Sequence, residues 1–135
     1  MLLMISEAVL LEAAEAVSAV KGLAMDPNDL VEDVFLLAYA FPEERDFKAA
    51  VASTCRALGR LVAEAVTPSD LKCDLSGWSS YHYQPWVGQG VRAMCRIMFR
   101  RIEGGIGVKG FGHRRISEDF YRRMGAGRMP ADPSV

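Results

Sequence analysis

Arg92, Arg96 and Arg100, spaced four residues apart, are the side chains of this sequence best arranged to do chemistry. Strand side chains alternate between faces, so this spacing puts all three on one face. A row of guanidiniums suits a phosphate backbone, because each can give paired hydrogen bonds to phosphate oxygens. A solvated face, or internal pairing with carboxylates elsewhere in the chain, would use the same residues; Arg96 is the one assigned to function. His113 stands between Gly112 and Arg114-Arg115. Neighbouring cations disfavour the imidazolium, so the ring is expected to be neutral and able to act as a base near neutral pH. An ordinary hydrogen-bonded histidine at a strand end is the competing reading. Tyr121, Arg122 and Arg123 close the stretch, the tyrosine either reaching toward this surface or half-buried as packing. His82, between Tyr81 and Tyr83 and near Trp78 and Trp86, brings aromatic faces that either stack on unpaired bases or build a sheet core.

Other chemistries fit less well. The run GGIGVKGFG lacks the Gly-Lys-Ser/Thr ending of a phosphate-binding loop and reads as turn plus strand. Cys55, Cys73 and Cys95 form no C-x-x-C pair and only two histidines accompany them, so no metal or cofactor site is expected. Free, mostly packed thiols in a reducing cytoplasm are the simplest account. Nothing local supports a Cys–His nucleophile, and Glu12 and Glu15 read as solvated.

The elements that must position these residues fall into two halves of opposite charge. Residues 1–70 hold 5 Lys/Arg against 12 Asp/Glu, while residues 71–135 hold 11 against 5, so a net charge of −1 conceals a division. Binding responds to local potential, which keeps a polyanion partner open despite the near-neutral total. With 135 residues, 50% hydrophobic and 24% charged, the chain is expected to be one folded domain rather than a disordered segment. Its opening run is apolar but has no basic flank and carries Glu7, Glu12 and Glu15, so neither a secretory leader nor a membrane span is expected.

Three helices are predicted first. Ser6 caps a helix over 6–22, ended by Gly22, with Val9, Leu10, Ala13, Val17 and Val20 on one face. Asp26-Pro27 starts a second, lined by Leu30, Val34, Leu37 and Phe41; VFLLAYAF could be a buried strand, and the Asp-Pro cap favours helix. A third begins at Pro42-Glu43-Glu44, carries Phe47, Val51, Leu58, Leu61 and Val62, is split near Gly59, and stops at Thr67-Pro68. Strands follow over Gly77–Tyr83 and Val91–Arg101, the latter with Cys95, Ile97 and Phe99 opposite the arginine face. A Glu103-Gly104-Gly105 turn leads to a return strand through Phe111. Ser117 caps a short last helix that Gly125 ends. The fold class is therefore α+β: N-terminal helices packed on a small antiparallel sheet of about three strands, with a short C-terminal helix. The single domain is set at 1–125, helical and acidic over 1–68 and sheet-forming and basic over 69–125, with 126–135 a flexible tail.

The order of these pieces resembles the RelE/ParE superfamily of small toxins from bacterial toxin–antitoxin modules. The resemblance rests on Asp74-Leu75-Ser76-Gly77-Trp78 entering a strand, then Arg96-Ile97-Met98-Phe99-Arg100 and the Glu-Gly-Gly turn. Val108-Lys109-Gly110-Phe111-Gly112-His113-Arg114-Arg115 and a terminal Tyr121-Arg122 complete it, over residues 70–124. It implies helices on a small antiparallel sheet and a metal-independent RNA endonuclease acting on mRNA at the ribosome. Arg96 would stabilise the phosphorane, His113 would be the acid or base, and Tyr121 would orient. Arg92, Arg100, Arg114, Arg115 and Arg122 would bind RNA. The partners it implies are an antitoxin and RNA on the ribosome. Some members instead bind DNA gyrase without catalysis, so the alternative is a non-catalytic interaction or inhibitor protein, gyrase-binding or from a mobile element, acting on a host complex. Family members usually begin with a strand before a helical hairpin; here that position holds an acidic helical segment, and VFLLAYA is the only strand candidate.

Overall fold

A computed structural model describes residues 4–64, 69–70, 77–85, 94–116, 119–125 and 128. The first helix, α1 (Glu7–Ser18), starts where the Ser6 side chain accepts from the Val9 N–H at 3.2 Å, and it buries Leu10, Ala13 and Val17. It ends at Ala19 rather than at Gly22. Gly22, at a φ of 87°, instead turns the chain into β1 (Leu23–Ala24), and its carbonyl accepts from Ile106 N–H at 2.8 Å. Pairing of this segment with the sheet is what ends the helix early.

The second helix, α2 (Pro27–Ala40), has the expected Asp26 cap, whose side chain accepts from Asn28 and Asp29 N–H at 2.8 and 3.1 Å. The run VFLLAYA lies inside it, and Leu30, Val34, Leu37 and Ala38 are buried. The third helix, α3 (Glu44–Val62), passes through Gly59 without a break and ends at Ala63, with Glu64 in a left-handed conformation at φ 58°. Thr67-Pro68, the stop read from the sequence, lies outside the described residues.

The sheet is wider than expected. Strands β3 (Ser79–Tyr83), β4 (Cys95–Ile102) and β5 (Gly105–His113) form the antiparallel centre, and the two-residue strands β1 and β2 (Ser69–Asp70) extend it to five, in the order β1-β5-β4-β3-β2. β1 runs parallel to β5, with Leu23 opposite Ile106. Two-residue edges escape sequence pattern because they are too short to show alternation.

Alternation gives the sheet two different faces. Tyr83, Cys95, Ile97, Phe99, Ile106, Val108 and Phe111 pack against α1, α2 and α3 in the main core. The other face carries a smaller cluster, Trp78, Met98, Phe120 and Met124, under the short helix α4 (Phe120–Gly125). Asp119 caps that helix, its side chain accepting from Tyr121 and Arg122 N–H at 3.0 and 3.1 Å. Ser117, the cap read from the sequence, lies outside the described residues, as do Trp86 and Cys73.

Two glycines let α4 sit this close. A Cβ at Gly110 would collide with the Met124 thioether, and one at Gly112 would meet Arg123 Nη2 at 3.1 Å. A bulge beside them, where the register shifts between Met98 and Phe99, places Lys109 over the Trp78 ring, 5.2 Å from its centroid.

Beyond β1 the outer edge of β5 would present unpaired backbone groups, an aggregation hazard in an open sheet. Side chains take them up here. Asp33, fully buried on α2, accepts from Phe111 N–H at 3.0 Å. Arg123 Nη2 donates to Phe111 O at 3.0 Å and lies 3.3 Å from Asp33. Arg128 donates to Asp33 at 2.7 and 2.9 Å and to Lys109 O at 2.9 Å, and also pairs with Glu32. Arg128 belongs to the stretch read as a flexible tail, yet its side chain is only 4% exposed. Removing one partner from a buried ion network typically costs about 3–5 kcal/mol, because the others are left without compensation. Asp33→Ala is accordingly expected to lower the unfolding free energy by that amount in urea denaturation. A loss under about 1 kcal/mol, the range of an exposed pair, would show that the edge does not depend on it.

Candidate functional site

The cross-strand register builds the site. His82 on β3 pairs with Arg96 on β4, and Arg96 pairs with Gly112 on β5. With Cys95 and Ile97 turned into the main core, Arg96, Met98 and Arg100 face α4, as do Ser80 and His82. From α4, the Tyr121 hydroxyl reaches Ser80 Oγ at 2.8 Å and lies 3.4 Å from His82 Nε2. Arg96 is 8% exposed and donates from Nη1 to its neighbour's Cys95 carbonyl at 3.0 Å, which fixes the start of its fork. Arg114, just past β5, acts on both histidines.

The electrostatics favour an uncharged His82. Burial first, then the Arg96 and Arg114 guanidiniums, hold its pKa below the usual histidine value. A neutral imidazole beside a guanidinium and a tyrosine hydroxyl can accept a proton while the cations hold an anion, which is the arrangement phosphodiester chemistry needs.

Of the residues singled out in the sequence, Arg96, Arg114 and Tyr121 come together, and Arg100 lies on the same face four residues along β4. His113 does not join them. It pairs with Cys95 on the helix-facing side, with its ring 6.1 Å from that of Phe41. Its Nδ1 already accepts from Arg115 N–H at 3.0 Å and Ile116 N–H at 3.2 Å. Burial, then Arg114, Arg96 and Arg115, hold its pKa down too, but with Nδ1 occupied it is badly placed to take a substrate proton. Arg115 is exposed beyond the strand end, Arg122 points to solvent from α4, and Arg92 lies outside the described residues. Arg101 turns to the helix side, donating to Leu61 O at 2.6 Å and lying 3.7 Å from Glu64.

His82 lies in the aromatic stretch that the sequence left between base stacking and a sheet core. Its alternation with Tyr81 and Tyr83 separates it from the core tyrosines, but only the register sets it opposite Arg96. Of the two described thiols, burial pushes Cys95 up to about 12, and Cys55 is also raised by burial. Among the described residues no group of three or more His, Cys, Asp or Glu side chains is placed to hold a metal ion. A groove of about 570 Å³ between α1 and α3, lined by Val9, Ala13, Phe47, Val51 and Cys55, takes in none of the site residues. Nor is any helix among the described residues long and apolar enough to cross a membrane.

The acidic half meets only part of the basic half. Asp33 and its neighbours take Arg123 and Arg128, and Glu64 takes Arg101. Arg100, Arg115 and Arg122 form no ion pair with any described carboxylate. Internal pairing, one of the two readings of the arginines, thus applies to Arg101 and not to Arg100.

Compared with known proteins, the chain matches no family model, no curated protein and no solved structure.

Both histidines bind a proton less readily in the fold than in the unfolded chain, whose histidines titrate near about 6.5. Their contribution to stability is therefore present above that value and is lost as the pH falls below it toward the lowered folded pKa values. Unfolding free energy is expected to fall between about pH 7 and pH 5, and His82→Gln should flatten part of that slope. An unchanged slope in that variant would show that His82 titrates as it does in the unfolded chain.

Proposed function

We propose that this chain is a toxin-like RNA endonuclease of the RelE/ParE kind, cutting mRNA in the cytoplasm without a metal ion. The observation that carries the reading is the row Ser80–Tyr121–His82 beside Arg96 on the sheet face that α4 packs against, with Arg114 at its rim. The element order supports it as well. A strand, β1, precedes the helical hairpin α2–α3, and four strands paired antiparallel, the first of them only two residues long, and a terminal helix follow. In that reading Leu23–Ala24 would take the first-strand position that the sequence left to VFLLAYA, with α1 preceding it as an addition.

In this mechanism neutral His82 takes the proton of a ribose 2′-hydroxyl, and the freed oxygen attacks the adjacent phosphorus. Arg96 and Arg114 hold the extra negative charge of the phosphorane, and Tyr121 orients the imidazole. The bond to the 5′-oxygen breaks, that oxygen takes a proton from water, and a 2′,3′-cyclic phosphate and a 5′-hydroxyl remain. Arg100 and Arg115 extend the backbone contact, and an antitoxin would be the protein that restrains the activity.

Expression of the wild-type chain is expected to arrest growth and fragment mRNA. Arg96→Ala should slow cleavage by about 100-fold or more, and His82→Ala by about 100- to 10,000-fold, with the fold retained by circular dichroism. Intact RNA with purified wild-type protein and ribosomes, and no growth arrest, would sink the reading.

A second reading has its own observation. Leu11, Val31 and Phe35 are 56%, 44% and 40% exposed on α1 and α2, among the acidic residues of that half. Such a surface suits a protein partner, as a non-catalytic inhibitor of a host complex would require. A stoichiometric partner retained by His82→Ala but lost by Phe35→Asp would favour it over the enzyme.

A further inference from the structure

We propose that His113 is a positioning residue: as a neutral ring with its proton on Nε2, it pins the turn that carries Arg114 and Arg115 and leads into α4, and protonation of the ring releases that turn. The hydrogen bonds define the tautomer. Nδ1 receives two backbone N–H groups, from Arg115 at 3.0 Å and Ile116 at 3.2 Å, so it has no room for a proton of its own. An imidazolium would point a third hydrogen at two donors, and both bonds would be lost.

The turn is tied in at either side of these bonds. Arg114 N–H donates to Met94 O at 2.8 Å, and Arg114 O accepts from Phe120 N–H at 2.9 Å. His113, the residue before β4 and the first residue of α4 therefore form one connected assembly, and Tyr121 is the next residue along. The ring is held in place by Phe41 from α2 and lies opposite the buried Cys95 thiol of β4. The charged groups that act on it are all cationic: Arg114 and Arg115 on the turn and, from the other face of the sheet, Arg96 on β4. No described carboxylate forms an ion pair with it. Burial and these cations keep the ring uncharged at neutral pH, so the latch is closed under ordinary conditions and opens on acidification.

The inference deepens the reading of the site as an RNA-binding surface. It also has a distinctive sign. Added positive charge alone would strengthen phosphate binding as the pH falls, whereas release of the turn takes Arg114 and Tyr121 out of position and weakens it.

The test follows the full-length protein by nitrogen-15 NMR and amide exchange from about pH 7.5 to pH 5, the range in which histidine titrates. Expected at the upper end is an unprotonated, hydrogen-bonded Nδ1 on His113. As the ring titrates, the Arg115 and Ile116 amides should exchange about tenfold faster or more, as released groups do. His113→Asn, whose side-chain oxygen can accept from N–H groups two and three residues on, should protect both amides at every pH, and His113→Ala at none. If the alanine variant fails to fold, the wild-type titration and the asparagine variant decide the matter. Binding of a 2′-O-methylated RNA hexamer should weaken on acidification in wild-type protein, and His113→Asn should remove that loss. A proton on Nδ1 at the upper pH, or amide protection unchanged through the titration of the ring, would overturn the proposal. The exchange measurement needs no RNA, so a latch found in a protein that binds no RNA would count against the function and not against the latch.

Discussion

The fold is organised around one buried carboxylate. Asp33 is fully enclosed, and a charge in that position is tolerated only with partners that replace its water. It takes the Phe111 N–H of β5, which the sheet leaves unpaired, and the guanidiniums of Arg123 and Arg128. One side chain thereby ties α2, the edge of β5, α4 and a residue beyond α4. Burial raises the Asp33 pKa, while Arg128, Arg123 and the Phe111 N–H oppose the rise. The two arginines also donate to Phe111 O and Lys109 O, so the group that settles the charge also closes the sheet edge.

That tie decides where the site can be. With α4 drawn onto the far face, Phe120 and Met124 cover Met98 and Trp78, and Tyr121 comes down beside Ser80 and His82. A Cβ at Gly110 would displace the Met124 thioether, and one at Gly112, held at a φ of 147°, would crowd Arg123 Nη2. The sheet then separates two tasks by parity alone. Alternate residues of β3 and β4 fill the helical core, and the residues between them bring an imidazole, a guanidinium and the Ser80 hydroxyl to the face where Tyr121 of α4 joins them. His113 has the opposite parity, so a histidine one residue beyond the Gly112 that faces Arg96 sits on the other side of the sheet and holds a turn instead.

The division of charge along the chain has two meanings in the fold. Acids of α2 and the end of α3 neutralise Arg101, Arg123 and Arg128, which are structural cations. Arg100, Arg115 and Arg122 pair with no described carboxylate, while His82 on the α4 side of the sheet and His113 on the helix side are both held toward the neutral form by burial and by nearby guanidiniums. The counts in sequence could not separate the groups, because a buried arginine and an outward one look alike until their neighbours are known.

Local signals were enough for much of the architecture. The Ser6 and Asp26 caps, the helical spacing of Leu30, Val34 and Leu37, and the Glu-Gly-Gly turn depend on residues a few positions apart, so the sequence by itself determined three helices, a hairpin and the α+β class. It also placed Arg96 opposite the core parity of Cys95, Ile97 and Phe99. What it could not determine was pairing across distance. The register that sets His82 against Arg96 depends on how β3 and β4 align. The two-residue strands exist only because β5 and β3 are there to pair with them. Arg128 is anchored only because Asp33, nearly a hundred positions earlier, lies buried beside it. Tertiary structure decided these because each is a contact between residues remote in sequence, whose energy is realised only when the whole chain is folded.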